Sequence, residues 1–435
     1  MFVVGIVGRP NVGKSSLFNR IVGFKYSITD DTPGVTRDRI IKKTSYLLRD
    51  FFVIDTGGIT LDKNVLFKNE IEYQANIAIR ESDCIIFVVD GTMGITPDDE
   101  FIAKLLAKTK KKVLVAVNKT DDISKLNNIY DFYKFGFTVY GISAIHGHNV
   151  AELLDDALSE FKRDSNNDEP KIKFSLIGKP NSGKSSLINA IINEQRVIVS
   201  PISGTTTDAI EINFTYNNID YIIVDTAGLK KKSKLEFGFD SYSYLRTILQ
   251  IEQSDVCLLV MDATNITLDD IHIGGLIKDY NKACVVVVTK WDLVIKDNKT
   301  YDSFILDLKE RLKFIDYTEI VTVSSLTKQR VNTLFDFIQR AYASYTKEVK
   351  TSILNALLLE ATMLNPPNKF NNGVVKINYI TQSGTKPPSF HLFINDEKYF
   401  HFSYKRYLEN FIRDKIDFTG SPIKFELRRK TQNET

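Results

Sequence analysis

Eight residues near the start of the chain, Gly8-Arg9-Pro10-Asn11-Val12-Gly13-Lys14-Ser15, fit the spacing G-x-x-x-x-G-K-[ST]. The chemistry such a run can do is phosphate binding. Its glycines let the backbone curl around phosphate oxygens, and the N–H groups at the start of a following helix point at them. Lys14 brings a positive charge to the outer phosphates, and the Ser15 hydroxyl is placed to hold Mg²⁺, with Ser16 next in the same cradle. The pattern recurs 170 residues later as Gly178-Lys179-Pro180-Asn181-Ser182-Gly183-Lys184-Ser185, followed by Ser186. Solenoid repeats have periods of roughly 20–50 residues, so this offset means two copies of a whole domain.

A phosphate loop alone would suit any ATPase. The choice of base comes from Asn118-Lys119-Thr120-Asp121. The Asn118 amide can face the O6/N7 edge of guanine, the Lys119 stem can pack along the base plane, and the Asp121 carboxylate can accept from N1–H and the exocyclic amino group. Adenine lacks that amino group and would leave the carboxylate unpaired. Such a site can reject the wrong base by a factor on the order of 10⁴. The second copy carries Thr289-Lys290-Trp291-Asp292 at this place, and Ser143-Ala144 and Ser324-Ser325 form the last base-side motif of each copy. Between phosphate and base motifs stand Asp55-Thr56-Gly57-Gly58 and Asp225-Thr226-Ala227-Gly228, again 170 residues apart. Asp55 and Asp225 sit where a second Mg²⁺ ligand belongs, and the Gly58 and Gly228 N–H groups can sense a γ-phosphate. Thr36 and Thr206, in Pro/Gly-containing loops, are placed to contact Mg²⁺ and the γ-phosphate. Lys14, Thr36, Lys184 and Thr206 are thus the expected catalytic set. Ile59 and Leu229 follow the D-x-x-G motifs; an aliphatic side chain cannot orient a water, so hydrolysis needs help from elsewhere.

Positioning these residues takes strands that end at the motifs and helices that begin there. Phe2 to Val7, Phe51 to Asp55, Cys84 to Asp90 and Val113 to Asn118 read as buried strands, with helices over 97–108 and 150–161 and a short strand over 140–144. Alternating strands and helices predict a mostly parallel sheet wrapped by helices, with ligands beyond the strands' carboxyl ends. Residues 1–163 form one such domain, 164–170 a polar linker and 171–350 the second. A third domain, 351–435, reads α-β-β-α-β: helix 353–363, strands 374–380 and 390–394, helix 403–416, strand 423–427. It carries 12 Lys and Arg against 8 Asp and Glu while the whole chain is only +3, so the basic excess sits here. A nucleic-acid contact surface would have this excess, and so would a solvated basic face. Arg428, Arg429 and Lys430 are expected after the last strand as phosphate contacts, and Tyr404 and Tyr407 are candidates for stacking on bases, with core packing expected of at least one. No apolar run approaches the roughly 18 residues of a membrane span, and the N-terminus enters the first strand without a signal segment, so a cytoplasmic protein is expected. Cys84, Cys257 and Cys284 lie in apolar runs, which predicts buried thiols rather than disulfides or a zinc site.

The chain resembles the Der (EngA) family of bacterial ribosome-assembly GTPases over essentially its whole length. Besides the paired motifs, Asn128-Ile129-Tyr130-Asp131-Phe132-Tyr133, Lys386-Pro387-Pro388-Ser389-Phe390 and His401-Phe402-Ser403-Tyr404 carry the likeness. The resemblance implies an α/β protein of two tandem Ras-like P-loop GTPase domains and a KH-like C-terminal domain. It implies hydrolysis of GTP to GDP in maturation of the large ribosomal subunit, with that subunit and its rRNA as partners and no membrane. It also implies activation by potassium, with Asn11 and Asn181 as ligands. Three departures stand out. Thr289 replaces the usual Asn, Thr207 replaces the Arg found at Arg37, and the third domain has no G-x-x-G loop, its glycines being Gly373, Gly384 and Gly420. The lysines Lys230, Lys231, Lys232 and Lys234 offer another RNA contact or a solvated loop. An alternative reading is a nucleotide-sensing scaffold in which only one GTPase domain turns over.

Overall fold

The computed structural model describes residues 2–23, 41–47, 49–58, 67–121, 123–161, 171–194, 197–199, 211–224, 239–295 and 300–429. Thr36, Ile59, Thr206, Thr207, Asp225 to Gly228, Leu229, the lysines 230–232 and 234, the 164–170 linker and Lys430 lie outside them. The chain divides into two compact units, residues 1–167 with 234–246 and residues 168–233 with 247–435.

The first unit is built on six strands: β1 (Phe2–Val7), β2 (Ile41–Tyr46), β3 (Arg49–Asp55), β4 (Cys84–Asp90), β5 (Lys112–Asn118) and β6 (Thr138–Gly141). Their order is β2-β3-β1-β4-β5-β6, all parallel except the β2–β3 pair. Helices α1 (Lys14–Gly23), α2 (Phe67–Glu81), α3 (Pro97–Leu106) and α4 (Val150–Ala157) cover it. Every residue of β4 is buried, because both faces of the sheet are covered. Cys84, Ile86 and Val88 pack among Leu17, Phe18 and Leu153 on one face, while Ile85, Phe87 and Val89 pack among Ala75, Ile102 and Phe132 on the other. The two-residue period of a strand thus sorts one apolar run into two cores.

The second repeat of the chain follows the same plan. Strands β7 (Ile172–Ile177), β8 (Val197–Val199), β9 (Ile212–Tyr216), β10 (Ile219–Ile223), β11 (Val256–Asp262), β12 (Ala283–Thr289) and β13 (Glu319–Thr322) run in the order β13-β12-β11-β7-β10-β9-β8, with α5 (Lys184–Ile192), α6 (Phe239–Gln253), α7 (Leu268–Asp279), α8 (Thr300–Arg311) and α9 (Leu334–Tyr345). β11 alternates as β4 does, Val256, Leu258 and Val260 on one face and Cys257, Leu259 and Met261 on the other. All three cysteines are buried and unbridged, and burial pushes the Cys84 and Cys257 thiols up to about 12.

The second unit ends in α10 (Thr351–Leu364), β14 (Ile377–Gly384), β15 (Ser389–Ile394), α11 (Phe402–Lys415) and β16 (Lys424–Arg429), the expected α-β-β-α-β order, with sheet order β14-β15-β16. β14 starts three residues later than the apolar run 374–380 predicts. Asn395 explains the shift: its side chain accepts from Lys376 N–H at 2.9 Å and donates to Val374 O at 3.1 Å, occupying backbone groups that a ladder would use. Gly420 docks this module on the preceding domain. Its N–H donates to Tyr317 O at 2.7 Å, and its carbonyl accepts from Cys284 N–H at 2.8 Å. The residue has φ +80°, and a Cβ there would lie 2.6 Å from Ala341 Cβ, so no other residue fits without displacement. Lys386 adds an ion pair to Asp255 at 2.8 Å.

One expectation for this module is corrected. Arg428 and Arg429 lie inside β16 rather than after it, and Arg428 pairs with Glu426 at 3.2 Å. Tyr404 is buried in the module's core, as expected of at least one of the two tyrosines, and Tyr407 packs half-buried beside it; their hydroxyls donate to Asn365 O and Ala361 O, each at 2.8 Å. Those bonds tie α11 to the end of α10.

Candidate nucleotide sites

In the first domain the phosphate loop joins β1 to α1. Gly13 has φ +97°, and a Cβ on it would fall 2.2 Å from Asn118 Nδ2. Lys14 is buried and its Nζ donates to Gly8 O at 2.8 Å and Arg9 O at 2.9 Å, which folds the loop around its ammonium. Ser15 donates to Asp55 Oδ2 at 2.8 Å, and Asp55 Oδ1 accepts from Gly57 N–H at 2.9 Å. A hydroxyl and a carboxylate brought together beside a lysine form a hard-oxygen pair suited to Mg²⁺. Thr56, counted with this motif from sequence, turns away: its hydroxyl donates to Ile6 O at 2.7 Å and braces β1. Asn11 and Asn181, at matching positions, are both exposed and left-handed, with φ 65° and 63°.

The second loop repeats the geometry between β7 and α5. Gly183 has φ +94°, and Lys184 Nζ donates to Gly178 O and Lys179 O, each at 2.6 Å. Burial lowers Lys184 to about 8, against a smaller upward pull from Asp270. Pro10 and Pro180 in the loops, and Ser16, Ser185 and Ser186 in the first turns of α1 and α5, are exposed.

The base-side residues converge on the same loops. Asn118, at the end of β5, donates from Nδ2 to Val12 O at 2.8 Å and accepts at Oδ1 from Ala144 N–H at 2.9 Å. One side chain therefore ties the phosphate loop to the Ser143-Ala144 loop, a bracing role that the sequence reading did not assign beside its place at the base edge. Thr289, its counterpart on β12, keeps the first tie: its hydroxyl lies 2.6 Å from Ser182 O and 3.0 Å from Met261 O. Thr120 donates to Ile142 O at 2.9 Å, holding the two base-side loops together, and Asp121 is exposed. Trp291, counted with the second base motif, turns inward against Phe304 with ring centroids 5.1 Å apart.

Four acidic residues escaped the sequence reading. Asp90, at the end of β4, meets Lys119 Nζ at 2.6 Å and accepts at Oδ1 from both Thr92 N–H and Thr92 Oγ1. Asp262 repeats this with Lys290 at 2.6 Å and with Thr264. Burial works against both carboxylates, yet the lysine and threonine bonds prevail and hold them below the ordinary carboxylate range. Asp99 and Asp270, fully buried in the capping boxes that start α3 and α7, pair with the second residue of each phosphate loop, Arg9 at 3.5 Å and Lys179 at 2.9 Å. The signal was present in the repeat: Asp90-Gly91-Thr92 recurs as Asp262-Ala263-Thr264, and Thr96 with Asp99 recurs as Thr267 with Asp270.

Two stretches, 3–119 and 173–290, match the family described as 50S ribosome-binding GTPase, and 348–428 match the KH-domain-like C-terminal domain of EngA bacterial GTPase enzymes. GTPase Der of Staphylococcus carnosus is 48% identical over 98% of this chain and 99% of its own length. The Clostridium kluyveri GTPase Der is 44% identical, covering 99% of each chain, and that of Macrococcus caseolyticus is 46% identical over 98% of this chain and 99% of its own. No helix among the described residues is long and apolar enough to cross a membrane. Two phosphate loops braced to guanine-type base motifs, and this agreement along the whole length, place the chain in the Der family of GTPases, enzymes that bind and hydrolyse GTP.

Proposed function

We propose that the chain hydrolyses GTP at both sites as part of large-ribosomal-subunit maturation, in the cytoplasm. The observation that carries the catalytic half is the Lys14–Ser15–Asp55 cluster, with Lys184 in the same geometry in the second copy. When a nucleotide enters, Lys14 and Lys184 exchange the loop carbonyls for the outer phosphate oxygens. Ser15 and Asp55 would hold Mg²⁺, as would Ser185 and Asp225 by sequence correspondence, and the ion would supply charge neutralisation at those oxygens. On the sequence pattern, Thr36 and Thr206 would contact Mg²⁺ and the γ-phosphate, and the Gly58 and Gly228 amides would sense that phosphate.

The aliphatic residues Ile59 and Leu229 leave the attacking water unassisted, so a cation near the phosphate loop must offset developing charge. Asn11 and Asn181 are the residues we assign to a potassium ion. Turnover in KCl should exceed turnover in NaCl at equal ionic strength, and Asn11→Ala should reduce that advantage more than it reduces GTP affinity; equal rates in the two salts refute the assignment.

The ribosomal half rests on the 50S-binding description of the matching family and on the basic excess of the C-terminal module. With Tyr404 buried in its core, we assign RNA contact first to exposed cations such as Arg429. The experiment is co-sedimentation with large-subunit particles, full chain against a chain stopped before Thr351, in GTP analogue and in GDP. Binding that ignores both nucleotide and truncation refutes the ribosomal assignment and leaves the GTPase assignment standing. A second reading, in which one domain turns over and the other only senses nucleotide, is favoured by one observation, the loss at Thr289 of half of the Asn118 brace.

A further inference from the structure

We propose that Arg20 is a positioning residue for base recognition in the first domain, and that its absence from the second makes the two nucleotide sites kinetically unequal. The inference rests on reading Ser143-Ala144 and Ser324-Ser325 as the base-side loops.

Arg20 lies on the last turn of α1, the helix that begins in the phosphate loop. Its Nε donates to Ala144 O at 3.1 Å and its Nη2 donates to Ile145 O. The guanidinium lines a cavity of about 300 Å³ bounded by Ser16, Asn19, Gly23, Ala144 and Ile145, between α1 and the base-side loop. From the other side Asn118 Oδ1 accepts the Ala144 N–H. The peptide groups flanking Ala144 are therefore gripped by two side chains from different elements, and both elements also form the phosphate loop's walls. A rigid fork donating to successive carbonyls fixes orientation as well as distance.

The second domain is an internal comparison. The residue 170 positions after Arg20 is Ala190, which is buried and has no polar group to offer. The Thr289 hydroxyl faces Ser182 O in the phosphate loop and Met261 O in β11. Bonds within the loop are alike in both copies: Ser143 N–H donates to His148 O at 3.2 Å, and Ser324 N–H to Gln329 O at 3.1 Å. What differs is the grip from outside. A base that depends on this loop leaves when the loop moves, so affinity differences of this kind appear in the off-rate.

The test reads release of fluorescent GDP from one site at a time in the full chain, with the other silenced by Lys184→Ala or Lys14→Ala. We expect site 2 to release about tenfold faster than site 1. Arg20→Ala should bring site 1 to within a few-fold of site 2 while leaving the association rate unchanged, and Arg20→Lys, able to reach one carbonyl, should fall between. Thr289→Asn should slow release from site 2. Inosine diphosphate keeps O6 and lacks the amino group read by Asp121, so Arg20→Ala should speed its release by the same factor as for GDP. Unchanged GDP release in Arg20→Ala overturns the proposal whatever Thr289→Asn does, as does an effect confined to GDP. A loss of folding in Arg20→Ala shifts the decision to Arg20→Lys, whose wild-type release rate would overturn it equally. Failure of the Lys184→Ala protein to bind any guanine nucleotide is a different result, because it removes the site assignment itself.

Discussion

Asp90 offers a sharp test of how the base-side lysine is held. The carboxylate is buried, Lys119 Nζ sits 2.6 Å away, and the lysine side chain is 41% exposed. A hydrogen bond to a charged group contributes about 1.5–3 kcal/mol. Because a lysine exposed to this degree recovers hydration when released, the lower part of that range, discounted for screening, is the right expectation, about 1 kcal/mol. Asp90→Asn keeps an acceptor for Thr92 and removes the charge. GDP affinity at site 1 should fall about fivefold, since 1.4 kcal/mol is a factor of ten. Titration with fluorescent GDP in the Lys184→Ala background measures it, and a cycle with Lys119→Met assigns it. If Asp90→Asn weakens binding as much in the Lys119→Met protein as in the parent, the carboxylate does not act through Lys119 and the reasoning fails. The same carboxylate carries a pH signature. Its folded pKa lies below the ordinary value, so its contribution is present above the unfolded pKa and is lost only as pH falls through the lower folded value.

Three further outcomes follow from the sites. Lys184 in the free protein gives up its proton near pH 8, and phosphate favours the charged form, so nucleotide affinity at site 2 should fall as pH rises from 7 to 9 and binding there should take up protons; calorimetry in buffers of different ionisation heat that finds no uptake refutes this. Gly13→Ala should cost site 1 at least tenfold in GDP affinity, because the new Cβ meets Asn118 Nδ2 and the backbone angle suits glycine; near wild-type titration would sink the argument. Phe335→Ala, at a fully buried ring stacked on Tyr216 and edge-on to Tyr221, should destabilise the second unit by about 3–5 kcal/mol in denaturant melts; a loss below 1 kcal/mol refutes its placement.

The chemistry of the phosphate loops was legible in the sequence because a few backbone angles and one lysine define it, and those are encoded locally. The strands were legible for the same reason: β4 is apolar from Cys84 to Val89 and β11 from Val256 to Met261, as strands covered on both faces must be. Asp90 and Asp262 were not, since an acid at a strand end reads the same whether it faces solvent or a lysine 28 or 29 residues away. Arg20 was hidden likewise, a cation on an amphipathic helix whose acceptors lie more than 120 positions along the chain. In the C-terminal module the sequence left the tyrosines open, because an aromatic beside basic residues suits RNA and a small core equally; burial and a hydroxyl bond to Asn365 O place Tyr404 in the core.

Gly420 gives the second unit a gauge. The Cys284 amide is protected by Gly420 O and the Gly420 amide by Tyr317 O, so both protons belong to the seam between the C-terminal module and the domain it rests on. Neither can exchange with solvent deuterium while the seam is shut, and lifting the module frees both together. Their common exchange rate is thus a direct reading of the free energy of undocking, separate from that of unfolding either part. β12 carries Cys284 near one end and Thr289 at the other, about 17 Å apart at strand rise, so the same measurement with and without nucleotide shows whether an occupied base site tightens or loosens the seam.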